Sequence, residues 1–263
     1  MTSATSSSTE YIQHHLVHLK YNLQTNSLGD GGFWTLHLDT IGISLVLGFC
    51  FLIPFIYAAH QARIENPPML QNIVEVLVSY VNDQIKENLH IEDISIGALA
   101  LTIFIWVFLM NFMDLVPVDL PPQVALLFGL PYFRAVPTAD VNLTLAMSIS
   151  VIFLVYAYGV KFNGITGFIY ELLAEPFGIF LFPVNLLKHI LSDGGKAISL
   201  ALRLYGNLYA GEIIFILIAL TPYYLQWIFA GAWLGFHLFV ITIQAFIFMM
   251  LTIVYIGLSK HEH

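Results

Sequence analysis

Charge is what this sequence has least of. Only 10% of its 263 residues are Asp, Glu, Lys or Arg, against about 25% in an ordinary soluble domain, which excludes a solvated globule. Cysteine is almost missing: Cys50 stands alone, so no intrachain disulfide can form, and within its apolar run it is expected as a small buried hydrophobe. Basic residues are the scarcer sign, nine against 17 acidic for a net charge of -8, which argues against a nucleic-acid partner and against electrostatic binding to anionic lipid. The N-terminus offers no basic stretch leading into an apolar one, so a cleavable signal peptide is not expected. An inverted-repeat architecture is disfavoured, because no internal repeat is visible. The sequence also lacks a P-loop, a dinucleotide fingerprint and an HExxH motif. Nucleotide chemistry is therefore not encoded, and neither a cofactor nor a metal is expected.

What is there is apolar, 58% of all residues, and it is arranged in runs. Residues 1–38 form a polar outer tail rich in Ser and Thr; His14 and His18 lie four apart in it, but with no acid or cysteine beside them a metal site is not expected. Residues 40–59, "TIGISLVLGFCFLIPFIYAA", suffice for one span of a ~30 Å bilayer core, with Pro54 near its end. After "HQARIENPP" comes a stretch, 68–90, in which Leu70, Ile73, Val74, Leu77, Val81 and Ile85 recur at helical spacing. This predicts an amphipathic helix that lies on the membrane surface or against a partner. Further spans are expected at 94–113 and 141–160, separated by a loop with five prolines from Pro117 to Pro137 that is non-helical, with a re-entrant portion as one option. Two long runs follow, 170–220 and 223–258, broken at "TPYY". Thirty-six residues of helix measure ~54 Å, so these two must tilt strongly or project beyond the bilayer. The fold class is thus an all-α integral membrane protein: five crossing helices plus one surface helix in a single domain over 39–263, the last two helices long, tilted and antiparallel. Arg63, Lys86, Lys161 and Lys260 against Lys20 and Arg134 place the N-terminus outside and the C-terminus in the cytoplasm.

The penultimate run holds polar residues that a lipid-facing helix would not. Multiples of 100° bring Asn185, His189, Ser192, Lys196, Ser199, Arg203 and Asn207 within about 40° of one direction, although the adjacent Gly194 and Gly195 are a point where a helix could break. Such a stripe reads either as the wall of a hydrated passage or as interhelical packing with snorkelling lysines. Glu212, nine positions past Arg203, points the other way. In an antiparallel hairpin centred on "TPYY", Arg203 comes level with Gln244 and Glu212 with His237. Glu212 and His237 both titrate, which makes them a candidate proton relay, the alternative being a structural hydrogen bond. Gln244 either orients the guanidinium or simply joins two helices. Arg203 is harder to accommodate. An arginine at mid-membrane costs about 2.5–3.5 kcal/mol on the insertion scale and stays charged, yet no acid of this chain falls at its level and face. Its partner is expected on another subunit. A self-contained ion-coupled secondary transporter, the competing reading, would need that acid within the chain.

The segments "SLALRLYGNLYAGEIIFILIA" and "FHLFVITIQAFIFMMLTIVYI" resemble subunit a of the bacterial F-type ATP synthases, the stator half of a rotary proton channel. The resemblance extends through "FWTLHLDTIGISLVLG", "MNFMDLVPVDLPP", "RAVPTADVNLTL" and "FPVNLL", nearly the whole chain from residue 33. It implies that Arg203 is the stator arginine facing the ion-carrying carboxylate of a subunit c ring. It also implies that Asn207, Glu212, His237 and Gln244 line the periplasmic half-channel and the arginine's surroundings. Ser199, Asn185, Asp114, Asp119, Asp140 and Asn142 fall on family motif positions with less defined roles. A peripheral-stalk subunit b and the rest of the synthase are the other implied partners, the bacterial inner membrane the implied location, and the chain is not catalytic by itself. One departure stands out. Where the family often has an acid in the cytoplasmic half of this helix, "KHILSDGGK" places Lys188, His189, Asp193 and Lys196, and His189, on the Arg203 face, is the expected exit group.

Overall fold

The computed structural model describes residues 19–29, 32–89, 93–116, 120–121 and 134–259. His14, His15, His18, Asp119, Lys260 and most of the proline-rich loop lie outside the described residues.

Three short strands come first: β1 (Lys20–Asn22), β2 (Ser27–Leu28) and β3 (Thr35–His37), an antiparallel sheet in the order β2-β1-β3. Local chemistry sets the β1 to β2 turn, since the Asn22 side chain accepts the Gln24 N–H at 2.8 Å and so closes an Asx turn. Part of the stretch read as a polar tail is thus folded. Six long helices follow among the described residues: α1 (Leu38–His60), α2 (Met69–Leu89), α3 (Ile94–Phe112), α4 (Val141–Ala174), α5 (Phe182–Ala219) and α6 (Tyr223–Leu258). Five of these, α2 excepted, are long and apolar enough to cross a membrane. The chain is an all-α integral membrane protein apart from its small sheet.

Two differences from the sequence reading have local causes. The helix expected from about 170 starts at Phe182, because residues up to Ala174 belong to a second limb of α4, joined to the first at Gly164 with φ 70°. Gly178, at φ 87°, and Pro176 then keep the next stretch from continuing as helix. Conversely, Gly194 and Gly195 do not interrupt α5, which is continuous over 38 residues; a glycine in a helix interior costs about 1 kcal/mol, which weakens a helix without obliging it to break. Cys50 is exposed on α1 rather than buried, in keeping with a helix whose apolar surface faces outward.

The chain divides into two compact units. The first comprises Met1–Ile56, Ile105–Leu143 and Leu204–Ala245; the second comprises Tyr57–Phe104, Thr144–Arg203 and Phe246–His263. In the second, two residues of the α2 stripe, Val81 and Ile85, are buried within the chain against Ile96 and Ala100 of α3 and Met249, Ile253 and Ile256 of α6, whereas Ile73 of the same stripe is exposed. Each such side chain contributes about 1.5–3 kcal/mol on full burial. Asn82 sits close to Gly97, where an added Cβ would meet its Oδ1 at 2.8 Å, so glycine is what lets these two helices approach. Asp93 caps α3 by accepting the Ser95 N–H at 2.9 Å. Its hydrogen bond from the Lys161 ammonium, reinforced by Ser95, holds its carboxyl down to about 2, so the cap persists until pH falls through that value.

Candidate functional site

The first unit contains a set of buried polar side chains in otherwise apolar surroundings. Asp39, at the start of α1, is 2% exposed. Its carboxylate accepts N–H groups from Leu19 at 3.1 Å, Thr40 at 2.8 Å and Arg134 at 3.2 Å, tying the segment before α4 to the sheet. Asp140 bonds His37 Nδ1 at 2.5 Å and accepts the Thr40 hydroxyl at 3.3 Å.

Deeper in that unit are two titratable pairs. Arg134, 6% exposed, grips Glu212, 4% exposed, with both arms of its fork: Nε donates to Oε1 at 3.1 Å and Nη2 donates to Oε2. Its guanidinium also lies 5.9 Å above the Tyr209 ring, whose other neighbour is the stacked ring of Tyr205 at 5.2 Å. The second pair is His237, 1% exposed, whose Nε2 lies 2.5 Å from Asp114 Oδ2. Trp233 stacks on that imidazole at 5.7 Å and Phe215 meets it edge-on at 5.5 Å, so the ring is held in place. Gly211 faces this pair. A Cβ there would collide with His237 Cε1 and stand 2.9 Å from Asp114 Oδ2, so only glycine lets α5 come this near α6.

The level pairing of Glu212 with His237 is therefore corrected. The register between the two helices is right to within one residue, since it is Gly211 that faces His237, but each ionisable group has a different partner. Glu212 takes a fixed cation from the segment ahead of α4, and His237 takes a carboxylate from the 3-10 turn just after α3. These partners lie 78 and 123 positions away, beyond the reach of helical periodicity. The available signal was the pair of ionisable residues in each of "MNFMDLVPVDLPP" (Asp114, Asp119) and "RAVPTADVNLTL" (Arg134, Asp140), with nothing local to say which of them meets α5 or α6. Arg134, counted above as an outer loop charge, is a buried partner instead. Gln244, 3% exposed, accepts from Asn207 Nδ2 at 2.8 Å, so the Gln244 amide joins two helices.

The second unit holds the rest of the stripe, which separates into three kinds of residue. Asn185 is fully buried and committed to backbone: its Nδ2 donates to the carbonyls of Leu173 at 2.9 Å and Gly178 at 3.0 Å, and its Oδ1 accepts the Phe177 N–H at 3.2 Å. It fixes the turn leading into α5 rather than lining a passage. His189, Ser192 and Lys196 line a cavity of about 230 Å³ with residues of α4 and α6. Ser199 and Arg203 are exposed. Among the described residues Arg203 makes no ion pair or hydrogen bond. The helix around it is apolar, with Ile198 and Leu202 each more than half exposed.

Five helices long and apolar enough to cross a membrane, with buried ionisable pairs and an exposed arginine on one of them, define an integral membrane protein with ionisable groups on its membrane helices. The chain belongs to the family described as ATP synthase A chain, whose model matches residues 41–257. Similar proteins include ATP synthase subunit a of Coxiella burnetii, 52% identical over 256 residues, covering 97% of each chain. That of Chromobacterium violaceum is 50% identical over 274 residues, covering 98% of this chain and 99% of the other. That of a Marinomonas species is 48% identical over 280 residues, covering 99% of each.

Proposed function

We propose that this chain is the proton-translocating stator subunit of a rotary ATP synthase in the bacterial inner membrane. It carries no catalytic site of its own and works beside a subunit c rotor ring, held by a peripheral-stalk subunit b. A polar outer segment, 1–38, leads into one transmembrane domain, 39–263, with the N-terminus periplasmic and the C-terminus cytoplasmic. The observation that carries the reading is Arg203: permanently charged, exposed, without an acid partner among the described residues, on a helix whose neighbouring side chains are lipid-soluble. A charge so placed is tolerable only if a carboxylate from another subunit meets it.

Protons enter from the periplasm through the polar set holding Glu212 and His237. Within it the His237 and Asp114 couple carries the proton, while Arg134 holds Glu212 in place. Asn207 and Gln244 fix the helix pair beside the handover to a rotor carboxylate. Protonated and neutral, that carboxylate can face lipid and rotate. On the other side it releases its proton to the cavity of His189 and Lys196, open to the cytoplasm, with Ser199 between that cavity and Arg203. Arg203 divides the two paths: a fixed cation favours the ionised form of the carboxylate opposite and repels a proton crossing directly. A proton driven by 100 mV yields about 2.3 kcal/mol, which a direct leak would dissipate without rotation.

The competing secondary transporter works alone, and that separates the two readings. The purified chain in liposomes is expected to show no gradient-driven transport by itself, and in mild detergent it is expected to co-purify with a rotor ring and stalk. Coupled transport by the isolated chain would overturn the proposal.

A further inference from the structure

We infer that Asp193 is a positioning residue that sets the proton affinity of the His189 cavity, an inference that rests on the proposed exit path. Both oxygens of its carboxylate are occupied. Oδ2 accepts the Tyr156 hydroxyl of α4 at 2.6 Å and Oδ1 accepts the Lys196 ammonium at 2.7 Å, while the Lys196 ammonium also lies 5.5 Å from the Tyr255 ring of α6. Asp193 is thus a clamp rather than a carrier. His189, one helical turn before it, differs: it lines the cavity, and its Nε2 is buried and makes no hydrogen bond. The other charged groups lining that cavity are Lys188 of α5 and Glu171 of α4; Glu171 accepts from Asn163 Nδ2 at 3.2 Å.

Position and charge give Asp193 its effect. Residues three and four apart on a helix are neighbours, so His189 lies next to an acid whose charge is balanced by Lys196. If the acid is removed, the ammonium loses its counter-charge and its tether, and its field opposes protonation of His189. If the ammonium is removed, the carboxylate is left uncompensated and favours protonation. Asp193 and Lys196 therefore act on the exit with opposite signs.

The test is the pH profile of ATP-driven proton uptake by the whole complex in inverted membrane vesicles, where protons enter through this cavity. Asp193→Asn is expected to move the alkaline limb of the profile to lower pH by roughly 0.5–1 unit. Lys196→Met should move it to higher pH, and the double variant should return near the wild-type position. Shifts of the same sign, or amplitude losses with an unmoved profile in all three, would overturn the inference, because a merely structural clamp changes the amount of active complex and not its titration. Arg203→Ala, measured alongside, keeps the two levels apart: pumping by that variant refutes the stator reading itself, whereas an inert Arg203→Ala with unmoved Asp193 and Lys196 profiles refutes only the role of Asp193.

Discussion

Arg203→Ala is expected to abolish ATP-driven proton pumping while leaving the chain inserted and assembled. Insertion should become easier, since the substitution removes a cost of about 2.5–3.5 kcal/mol, and no ion pair or hydrogen bond within the described part of the chain is lost. The loss is confined to what the guanidinium does to a partner. Without it, a rotor carboxylate passing α5 keeps its proton instead of releasing it, and nothing repels a proton moving straight from one path to the other. Pumping is read from acidification of inverted vesicles, and assembly from the recovery of the complex in detergent. Robust acidification by this variant would remove the basis of the stator reading. A complex that failed to assemble would show instead that Arg203 is a structural residue.

The second large effect belongs to the Arg134 and Glu212 pair. Arg134→Met leaves the Glu212 carboxylate, 4% exposed, without its cation. Breaking a buried pair from one side costs about 3–5 kcal/mol, whereas replacing both partners by apolar groups of similar size is often close to neutral. The single variant should therefore unfold far more readily in a denaturant titration of the detergent-solubilised complex, and Arg134→Met combined with Glu212→Met should recover most of that loss. Equal instability of the single and double variants would mean that packing against Tyr209, rather than charge balance, is what Arg134 supplies. Because the two residues are 78 positions apart, a measured coupling also checks how the segment before α4 is placed against α5.

These two cases mark how far the sequence could be read. Arg203 stands out in the sequence because its anomaly is local: a permanent charge among Leu, Ile and Ala needs an explanation whatever the fold, and its role is what the proposed experiments test. The α5 and α6 hairpin was legible for the same reason, its break lying at a proline between two apolar runs, and its register came out within a residue. The amphipathic stripe of α2 was legible as a helix, but which of its residues are buried, Val81 and Ile85 and not Ile73, depends on α3 and α6. Arg134, Asp114 and Asp193 were not legible as partners. Each acquires its meaning from a side chain on another helix, and periodicity within one segment does not encode which helices meet. Asn185 shows the opposite error. Its angle on the helix agreed with the polar stripe, but its amide is consumed by the backbone of the turn before α5, which no angular argument reveals. Gly164 and Gly178 likewise redirect the chain through positive φ values that the long hydrophobic pattern around them conceals.

The central claim is that Arg203 is one half of a site completed by another subunit. The measurement that addresses it most directly is an experimental structure of the assembled complex in a lipid environment, resolving the side chains around α5. The account predicts an acidic side chain of the rotor facing the Arg203 guanidinium, at about 3 Å or through one bridging water. Arg203 facing lipid, or paired with a carboxylate of its own chain, would contradict it.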